Sequence, residues 1–333
     1  MKALPEGFDV SSLDSSLAES WSIGAASVDY LPAGFGSYHW VVWDAEARRY
    51  FVTVDDLDQK PWLGGTRGAA FAGLTTAFDT ALALRREIGL DFVLAPLPTL
   101  EGQTVLRVGD RHALSVFPFV EGRAGHFGEE LTPKERSDVV HMLAQLHGAA
   151  TSSTGLRVDT PMPGRGALEA ALDDVASVWH GGPFSEPARA WLADHATVVR
   201  RQLQELDRLA ASLVGRDLVI THGEPHPGNV LRSHDRLMLI DWDTMAIAPP
   251  ERDLWLVATT DGPGLAQYAE ETGQELDRDA LACYRLAWDL ADVAAYMAQF
   301  RSVHLGTEDA EQSWRYLTGM TWIDDTAPSA PVS

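Results

Sequence analysis

The chain has 333 residues, more than one hydrophobic core usually holds, so two lobes are expected. Its formal net charge of −22 would repel a phosphate backbone, which argues against nucleic acid as a partner, and it would attract a cationic substrate, although an acidic surface also simply promotes solubility. No apolar run reaches the roughly 20 residues of a membrane span, and the first residues lack the apolar stretch of a signal peptide. The single cysteine, Cys283, excludes an internal disulfide, so the cytoplasm is the expected compartment.

The first third of the chain predicts a mostly antiparallel sheet with one substantial helix. Its strand-like stretches are rich in β-branched and aromatic residues and lie between turn signals. In chain order the predicted elements are a helix over 13–21, strands over 26–31, 39–44 and 49–54, a helix over 68–88, a strand near 92–95 or 104–108, and a strand over 112–117.

The rest of the chain is mainly helical. Thr132-Pro-Lys-Glu135 is typical of a capped helix start, and this helix is predicted to run to about His147. Helical patterns over 166–214 and 253–320 surround a segment of short strands and loops at 218–245. We therefore predict an amino-terminal lobe over 1–120, a carboxyl-terminal lobe over 121–324 and a disordered tail over 325–333.

The segment from 218 to 243 carries the residues for chemistry. Glu224 precedes Asn229 by five residues in one loop, and an apolar strand then leads to Asp241 and Asp243. Phosphoryl transfer needs a carboxylate to orient the attacking hydroxyl and oxygen ligands for Mg²⁺ beside the phosphates. A hairpin of strands 229–232 and 237–240 with a turn at 233–236 would bring Asn229 and Asp241 together.

This segment resembles the catalytic and metal-binding loops of the aminoglycoside phosphotransferase and choline kinase-like family, relatives of the protein kinases. The family pattern is His-Gly-Asp, four residues, Asn, and later Ile-Asp-(Trp/Phe)-(Asp/Glu); the matching residues here are His222-Gly223, Asn229 and Ile240-Asp241-Trp242-Asp243. The later stretch from Pro249 to Trp255 also resembles a family landmark, in which Asp253 caps the core of the carboxyl-terminal lobe. The resemblance implies an α+β fold with two lobes, kinase-like, with a small antiparallel sheet lobe and a larger helical lobe.

The resemblance also implies roles for the matching residues. Asn229 and Asp241, with Asp243, would bind Mg²⁺, His222 would brace the catalytic loop by hydrogen bonding, and Glu224 stands where the family has its catalytic aspartate. Glutamate keeps the acid–base chemistry and changes only the reach, by one methylene, so activity is expected.

The nucleotide, ATP or GTP, would bind along the amino-terminal lobe. The loop at 34–38 corresponds to the strand–loop–strand that covers the phosphates, and 117–122 resembles the hinge that meets the base. The residues assigned to the nucleotide are Gly34, Phe35, Gly36, Ser37, Tyr38, Thr53, Lys60, Phe117, Phe119 and Val120. The two glycines are equally consistent with a simple hairpin turn, and the two phenylalanines Phe117 and Phe119 with core packing.

Thr53 stands near the place where the family carries a phosphate-binding lysine. The chain has only three lysines, and Lys60 is the only one in the amino-terminal lobe beyond residue 2. We expect Lys60 to fold back as the substitute, with Arg67 as a second choice, unless it is a surface residue. Asp79 and Glu87 are candidates, by position alone, for the helix acid that pairs with this lysine.

His222, Glu224 and His226 also spell His-x-Glu-x-His, a pattern that can indicate zinc. Pro225 and Pro227 prevent the helix on which zinc proteases place their two histidines, and no third ligand is evident. His226 is instead expected to brace the loop by hydrogen bonding or to contact phosphate, and it is also assigned to the substrate site.

The acceptor would be bound by a later helix. Trp288, Asp289 and Asp292 lie at helical spacing, and an acidic, aromatic wall suits a polar ring that bears amino or hydroxyl groups, although a tryptophan at this spacing also packs in cores.

Together these features predict an Mg²⁺-dependent phosphotransferase, monomeric or homodimeric, that phosphorylates a hydroxyl of a small-molecule antibiotic and so confers resistance. In its two departures, Glu224 and the missing strand lysine, the chain resembles divergent family members that act on spectinomycin or on nucleoside antibiotics such as capuramycin. The alternatives are a pseudokinase that binds nucleotide without turnover, because two family residues are altered, and a kinase of a small metabolite of the choline or sugar type.

Overall fold

The computed structural model describes residues 1–320 except 3, 6, 35, 151–156, 158–160, 235 and 259–261. The predicted tail at 325–333 lies outside this range. Contacts within the chain divide it into a first unit of residues 1, 3–159 and 215–281 and a second unit of residues 2, 160–214 and 282–333. The predicted lobe boundary at residue 120 falls inside the first unit and stays a prediction.

The first unit begins with a helix and a five-stranded antiparallel sheet in the order β1-β2-β3-β5-β4. The elements are α1 Ser11–Trp21, β1 Ala25–Leu31, β2 Ser37–Asp44, β3 Arg49–Asp56, β4 Leu106–Val108 and β5 His112–Pro118. The predicted strands are confirmed, and of the two stretches offered for the fourth strand, the later one forms it. The α+β class is confirmed as well.

Strand alternation gives this sheet two different faces. One face carries Val52 and Val54 and packs in a buried cluster with Leu13 and Leu17 of α1. The opposite face carries the intervening residues of β3, which include Thr53 and Asp55. This second face therefore holds polar side chains. In the sequence they can be recognised only because they alternate with Val52 and Val54.

The remaining elements of the first unit surround a second buried cluster. They are α2 Arg67–Ala83, which continues as one π-helical turn over Leu84–Ile88, β6 Arg123–Ala124, α3 Pro133–His147, β7 Val219–Thr221, β8 Val230–Ser233, β9 Arg236–Leu239, β10 Ala246–Ala248, α6 Glu251–Val257 and α7 Pro263–Thr272. Thr132 and Glu135 form the reciprocal cap that their spacing predicts at the start of α3.

The second unit is built from helices: α4 Arg165–Asp173, α5 Ser185–Ala210, α9 Glu308–Thr318 and most of α8 Arg278–Arg301. Apolar residues at helical spacing, such as Leu192 and Val199 of α5 and Leu290 and Met297 of α8, form its buried core. Within the described part of the chain, no helix combines the length and the apolar character that a membrane span requires.

Candidate active site

The catalytic loop follows β7 and is anchored by a buried carboxylate. Asp253 in α6 accepts hydrogen bonds from the backbone N–H groups of His222 (2.8 Å) and Gly223 (2.6 Å). Its Oδ2 also lies 3.0 Å from Nε2 of His147, whose Nδ1 is 2.8 Å from the Tyr268 hydroxyl. Although burial acts to raise it, the hydrogen bond from His147 and the charges of His147 and Arg252 hold the pKa of Asp253 below its usual range. The loop is therefore fixed by a charged anchor in the core.

The ring of His222 joins the catalytic loop to the segment that follows β9. Its Nε2–H donates to the carbonyl of Ile240 (2.9 Å), and its Nδ1 accepts from the N–H of Glu224 (3.2 Å). Burial lowers the pKa of His222, so the ring is neutral near pH 7. Because both ring nitrogens are already engaged, His222 has no lone pair for a zinc ion, and the residues that the structure describes contain no group of three metal-ligating side chains of the His, Cys, Asp or Glu type.

Gly223 needs its missing side chain for two reasons. Its φ is +98°, and a Cβ atom there would lie 2.6 Å from the Arg252 guanidinium. Arg252 donates to the Thr221 hydroxyl (2.8 Å) and to the carbonyl of Thr244 (2.8 Å). It thus links the strand before the catalytic loop to the segment after Asp243.

The amide of Asn229 is oriented by the catalytic loop itself. Its Nδ2 donates to the carbonyl of Glu224 (3.0 Å), which leaves Oδ1 as the acceptor of the amide. Its backbone N–H donates to the carbonyl of His226 (2.8 Å). Burial lowers the pKa of His226 to about 4, and its Nε2 lies 3.9 Å from a carboxylate oxygen of the half-buried Glu224.

Asp241 stands at the same end of the β8–β9 hairpin as Asn229. The strands pair Val230 with Leu239, and the N–H of Ile240 donates to the carbonyl of Asn229 at 3.0 Å, so the predicted hairpin is confirmed to within one residue at each end. Asp241 has a φ of +64°, a left-handed conformation that non-glycine residues adopt rarely and often at functional sites.

The electrostatic surroundings of Asp241 are strongly negative. Desolvation by the surrounding protein and the charge of Asp243 raise the pKa of Asp241, Lys60 opposes them, and Glu224 and Asp55 add smaller upward contributions. The side chain of Asp241 is nevertheless exposed to solvent, which weakens the effect of desolvation. The repulsion between the carboxylates is therefore the cause of the raised pKa that remains in water. Hard divalent cations prefer carboxylate and amide oxygens, so Asp241 and the Oδ1 atom of Asn229 fit an Mg²⁺ ion.

Lys60 lies in the interior, 1% exposed, rather than on the surface. Its Nζ is 2.5 Å from Oδ2 of Asp243, 2.8 Å from Oδ1 of Asp55 and 3.1 Å from the Ser37 hydroxyl. Burial acts to lower the pKa of Lys60, but the charges of Asp243, Asp55 and Asp241 raise it overall, so the ammonium is charged. The structure therefore brings the predicted lysine beside the predicted metal-binding segment.

Comparison with known proteins identifies the family. The profile of the phosphotransferase enzyme family known as APH matches residues 28–287, more than half of the chain. The chain belongs to this family. A relative, Protein StrN of Streptomyces griseus, is 30% identical over 258 residues, which cover 73% of this chain and 75% of StrN. The protein is therefore an enzyme of the phosphotransferase class.

Two solved structures share the fold of this phosphotransferase. Spectinomycin phosphotransferase APH(9)-Ia, in complex with ADP and spectinomycin, has a TM-score of 0.73 and 18% identity, with 95% of each chain covered. A microcompartment-associated aminopropanol kinase has a TM-score of 0.60 and 17% identity, with 93% of this chain and 95% of that chain covered. At these identities the similarity establishes the kinase-like fold.

The loop at 34–38 of this phosphotransferase, here called the glycine loop, lies within the described residues except for Phe35. Gly34 and Gly36 have φ values of +71° and +89°, which a tight turn between β1 and β2 requires. Ser37 points toward Lys60, whereas the side chain of Tyr38 is buried in the core on the α1 side, so only its backbone faces the loop.

The hinge residues differ in their surroundings. Phe117 is buried and packs edge-on against Phe78 at 5.4 Å, whereas Phe119 is half-buried beneath the guanidinium of Arg49 at 4.2 Å. Val120 is half-buried, and Thr53 is buried with a hydroxyl that has no hydrogen-bond partner. The nucleotide roles of these four residues stay predictions.

The helix-acid candidates are wrong as partners of Lys60. Asp79 accepts a hydrogen bond from the Thr104 hydroxyl (2.6 Å), and Glu87 is exposed. The acids paired with Lys60 come instead from β3 and from the segment after β9. Arg67, the second choice as a substitute for the strand lysine, pairs with Asp58 and Asp110 on the surface.

The predicted acceptor residues lie on α8 in the second unit. Asp289 and Asp292 are half-buried, one helical turn apart, and form no hydrogen bond or ion pair with the described residues. Desolvation raises the pKa of Asp289 to about 6, against the charge of Arg285, and desolvation together with Asp289 raises the pKa of Asp292 to about 7. Trp288 beside them is half-buried, and the substrate role of all three stays a prediction.

Sequence reasoning missed three residues that hold the site together: Asp55, His147 and Arg252. Strand alternation places Asp55 two residues after Thr53 on the same face, but it does not identify Asp55 as the partner of Lys60. His147 is a polar residue at the end of the buried face of α3, which signals a buried partner. For Arg252 the sequence gives no signal, since its partners are the hydroxyl of Thr221 at the end of β7 and the carbonyl of Thr244 in a loop.

Proposed function

We propose that this protein transfers a phosphoryl group from ATP or GTP, with Mg²⁺, to a hydroxyl of a small-molecule antibiotic. The observation that carries the proposal is the position of Asn229 and Asp241 at one end of the β8–β9 hairpin, beside the carboxylate of Glu224. Family membership supplies the reaction class, and these residues supply the parts that phosphoryl transfer requires.

Each residue has a role that follows from its contacts. Glu224 accepts a hydrogen bond from the acceptor hydroxyl and aligns its oxygen for attack, while His222 fixes the backbone of Glu224. Asn229 Oδ1 and the Asp241 carboxylate would hold Mg²⁺, and Asp243, one of whose oxygens contacts Lys60, would be a further ligand. When bound, Mg²⁺ neutralises charge on the nucleotide phosphates.

The nucleotide binds against the polar face of the amino-terminal sheet. The backbone of the loop at 34–38 covers the phosphates, Lys60 supplies positive charge beside them, and the chain at 117–120 meets the base. The complex of spectinomycin phosphotransferase with ADP and spectinomycin supports a nucleotide and an antibiotic as the two ligands, because the fold is shared.

A cationic acceptor fits this protein best. Asp289 and Asp292 are half-buried acids that form no ion pair among the described residues, although the charge of Arg285 acts on Asp289, and an amino group on the acceptor would supply a counter-ion. Trp288 offers a ring face for the same cation or for a sugar-like ring. The formal charge of −22 favours the approach of such a molecule.

The test is transfer of radiolabel from γ-labelled ATP or GTP to a panel of aminoglycosides, spectinomycin, nucleoside antibiotics, choline, aminopropanol and free sugars. We expect transfer to an antibiotic, a loss of at least about a hundredfold in kcat for Asn229→Ala and for Asp241→Ala, and loss and recovery of activity on chelation and return of Mg²⁺. Asp91→Ala, which changes an exposed acid near the same hairpin, is the matched control and should keep full activity.

The panel separates the alternatives. Transfer to choline, aminopropanol or a sugar alone would make the protein a metabolite kinase, and tight nucleotide binding without transfer to any acceptor would make it a pseudokinase. Expression in a susceptible bacterium should raise the inhibitory concentration of the modified antibiotic, and Asp241→Ala should abolish that protection.

A further inference from the structure

A buried cluster of charge lies where β3 ends. Lys60 and Asp55 are 1% and 2% exposed, and Ser37 is buried beside them. Oδ1 of Asp55 accepts a hydrogen bond from the Ser37 hydroxyl at 2.6 Å and lies 2.8 Å from the Lys60 ammonium. One carboxylate oxygen thus contacts both the glycine loop and the lysine.

The chain brings these residues together by pairing and by a turn. β2 and β3 pair Ser37 with Asp55 directly across the sheet, so their side chains share a face. A 3₁₀ turn over Leu57–Gln59, capped by the Asp56 carboxylate, then reverses the chain and returns Lys60 to that face.

Lys60 has three close polar partners. Its ammonium donates hydrogen bonds to Asp243 and Ser37 and forms an ion pair with Asp55. Because the Ser37 hydroxyl donates its own proton to Asp55, it accepts from Lys60. The two carboxylates hold the direction of the ammonium, and the neutral hydroxyl is the partner that a phosphate oxygen can replace at least cost.

We propose that Asp55 is a positioning residue that fixes Lys60 and Ser37 for the nucleotide phosphates. It lies near the end of strand β3 and not on helix α2. This inference rests on the proposed function, because it assumes that a nucleotide binds beside Lys60. Asp55 does not itself contact the nucleotide; it acts through the lysine and the serine.

A second observation ties Asp55 to this task. Its Oδ2 atom is buried and has no hydrogen-bond partner. Buried polar atoms are normally paired, and a carboxylate kept for packing alone would be replaced by an amide or an apolar group at no loss. The ion pair with Lys60, through Oδ1, is therefore the contact that favours a charged group at this position.

The first experiment uses the small number of lysines. Protein labelled with ¹⁵N-lysine carries three Nζ groups, Lys2, Lys60 and Lys134, and in the apo protein only the buried Lys60 should give a slowly exchanging ammonium signal. We expect Asp55→Asn to abolish or strongly shift that signal and to leave Lys2 and Lys134 unchanged. An unchanged Lys60 signal in folded Asp55→Asn would overturn the proposal.

The second experiment measures nucleotide affinity by calorimetry and the two KM values. Asp55→Asn should weaken nucleotide binding and raise the nucleotide KM about tenfold, with the acceptor KM unchanged. The control is Asp44→Asn, which alters a buried acid at the other end of β2 that pairs with Arg48, and it should leave both nucleotide values unchanged. An equal rise in Asp44→Asn would reduce Asp55 to a structural residue and contradict the proposal.

Asp55→Glu, which keeps the charge, serves if the asparagine variant does not fold. It should retain the Lys60 signal and bind nucleotide within about threefold of the wild type, whereas a tenfold loss with the Lys60 signal intact would overturn the proposal. If the wild type binds no nucleotide, the proposed function fails, and the apo spectra still report separately on the link between Asp55 and Lys60.

Discussion

Two groups of acids in this protein face opposite situations. In the first unit, Asp55 and Asp243 are buried against the ammonium of Lys60. In the second unit, Asp289 and Asp292 are half-buried on α8 and form no ion pair among the described residues; the charge of Arg285 acts on Asp289, but the pKa of each acid is still raised. The first group is compensated by a buried lysine, whereas the second has no ion-pair partner among the described residues. The comparison shows that burial of an acid raises its pKa where no cation is in contact with it.

The largest expected effect comes from removing the cation of the compensated group. Lys60→Met leaves Asp55 and Asp243 buried without their counter-ion, which should cost about 3–5 kcal/mol of unfolding free energy. Urea denaturation measures this loss. Lys134→Met is the control, because Lys134 is exposed and pairs with Asp138 on the surface of α3, so its loss should stay within about 0.5 kcal/mol. Equal losses in the two variants would contradict the distinction between the buried and the exposed pair.

The opposite effect, a gain in stability, is expected when an acid of the second group, Asp289 and Asp292, is replaced. Asp292 has a pKa of about 7 in the folded protein, so the folded state keeps a proton that the unfolded chain releases near pH 4. Its contribution therefore lowers stability progressively as pH rises from about 4 to about 7, and the penalty is complete above that window. Asp292→Asn removes the penalty and should stabilise the protein by about 2 kcal/mol at pH 8, with the gain shrinking as the pH is lowered toward 4.

Paired urea melts of wild type and Asp292→Asn at pH 4, 6 and 8 measure this difference. The other titrating groups contribute equally to the unfolding free energy of both proteins, so their contributions cancel. Asp194→Asn, a change at an exposed position of α5, should show no such trend. Destabilisation by Asp292→Asn at pH 8 would mean that the carboxylate has a partner that it needs in the folded state.

The smallest expected effect concerns the coupling between the two acids of α8. The charge of Asp289 contributes to the raised pKa of Asp292, after desolvation. Asp289→Asn should therefore lower the pKa of Asp292 by a few tenths to about one unit, as measured from the carboxyl ¹³C shift during a pH titration. An Asp292 titration that does not move would leave desolvation as its whole cause.

The sequence by itself determined the class of the fold and the order of its parts. Val52 and Val54 alternate with Thr53, as in a strand with two different faces. The spacing of Thr132 and Glu135 places the start of a helix correctly, because capping depends only on neighbouring residues. The hairpin that brings Asn229 and Asp241 together could also be predicted, since its two strands are separated by a short turn. The signals for these features lie within a few residues of one another.

Only the tertiary structure decided which charges meet. The sequence marks Lys60 as the one lysine available, but its partners Ser37, Asp55 and Asp243 are 23, 5 and 183 residues away, and no local pattern selects Asp55 over Asp79 or Glu87. The anchoring of the catalytic loop by Asp253 and His147 is non-local in the same way. The physical reason is that a buried charge is stable only beside an opposite charge or a hydrogen-bond partner, and the fold determines which such group is within about 3 Å.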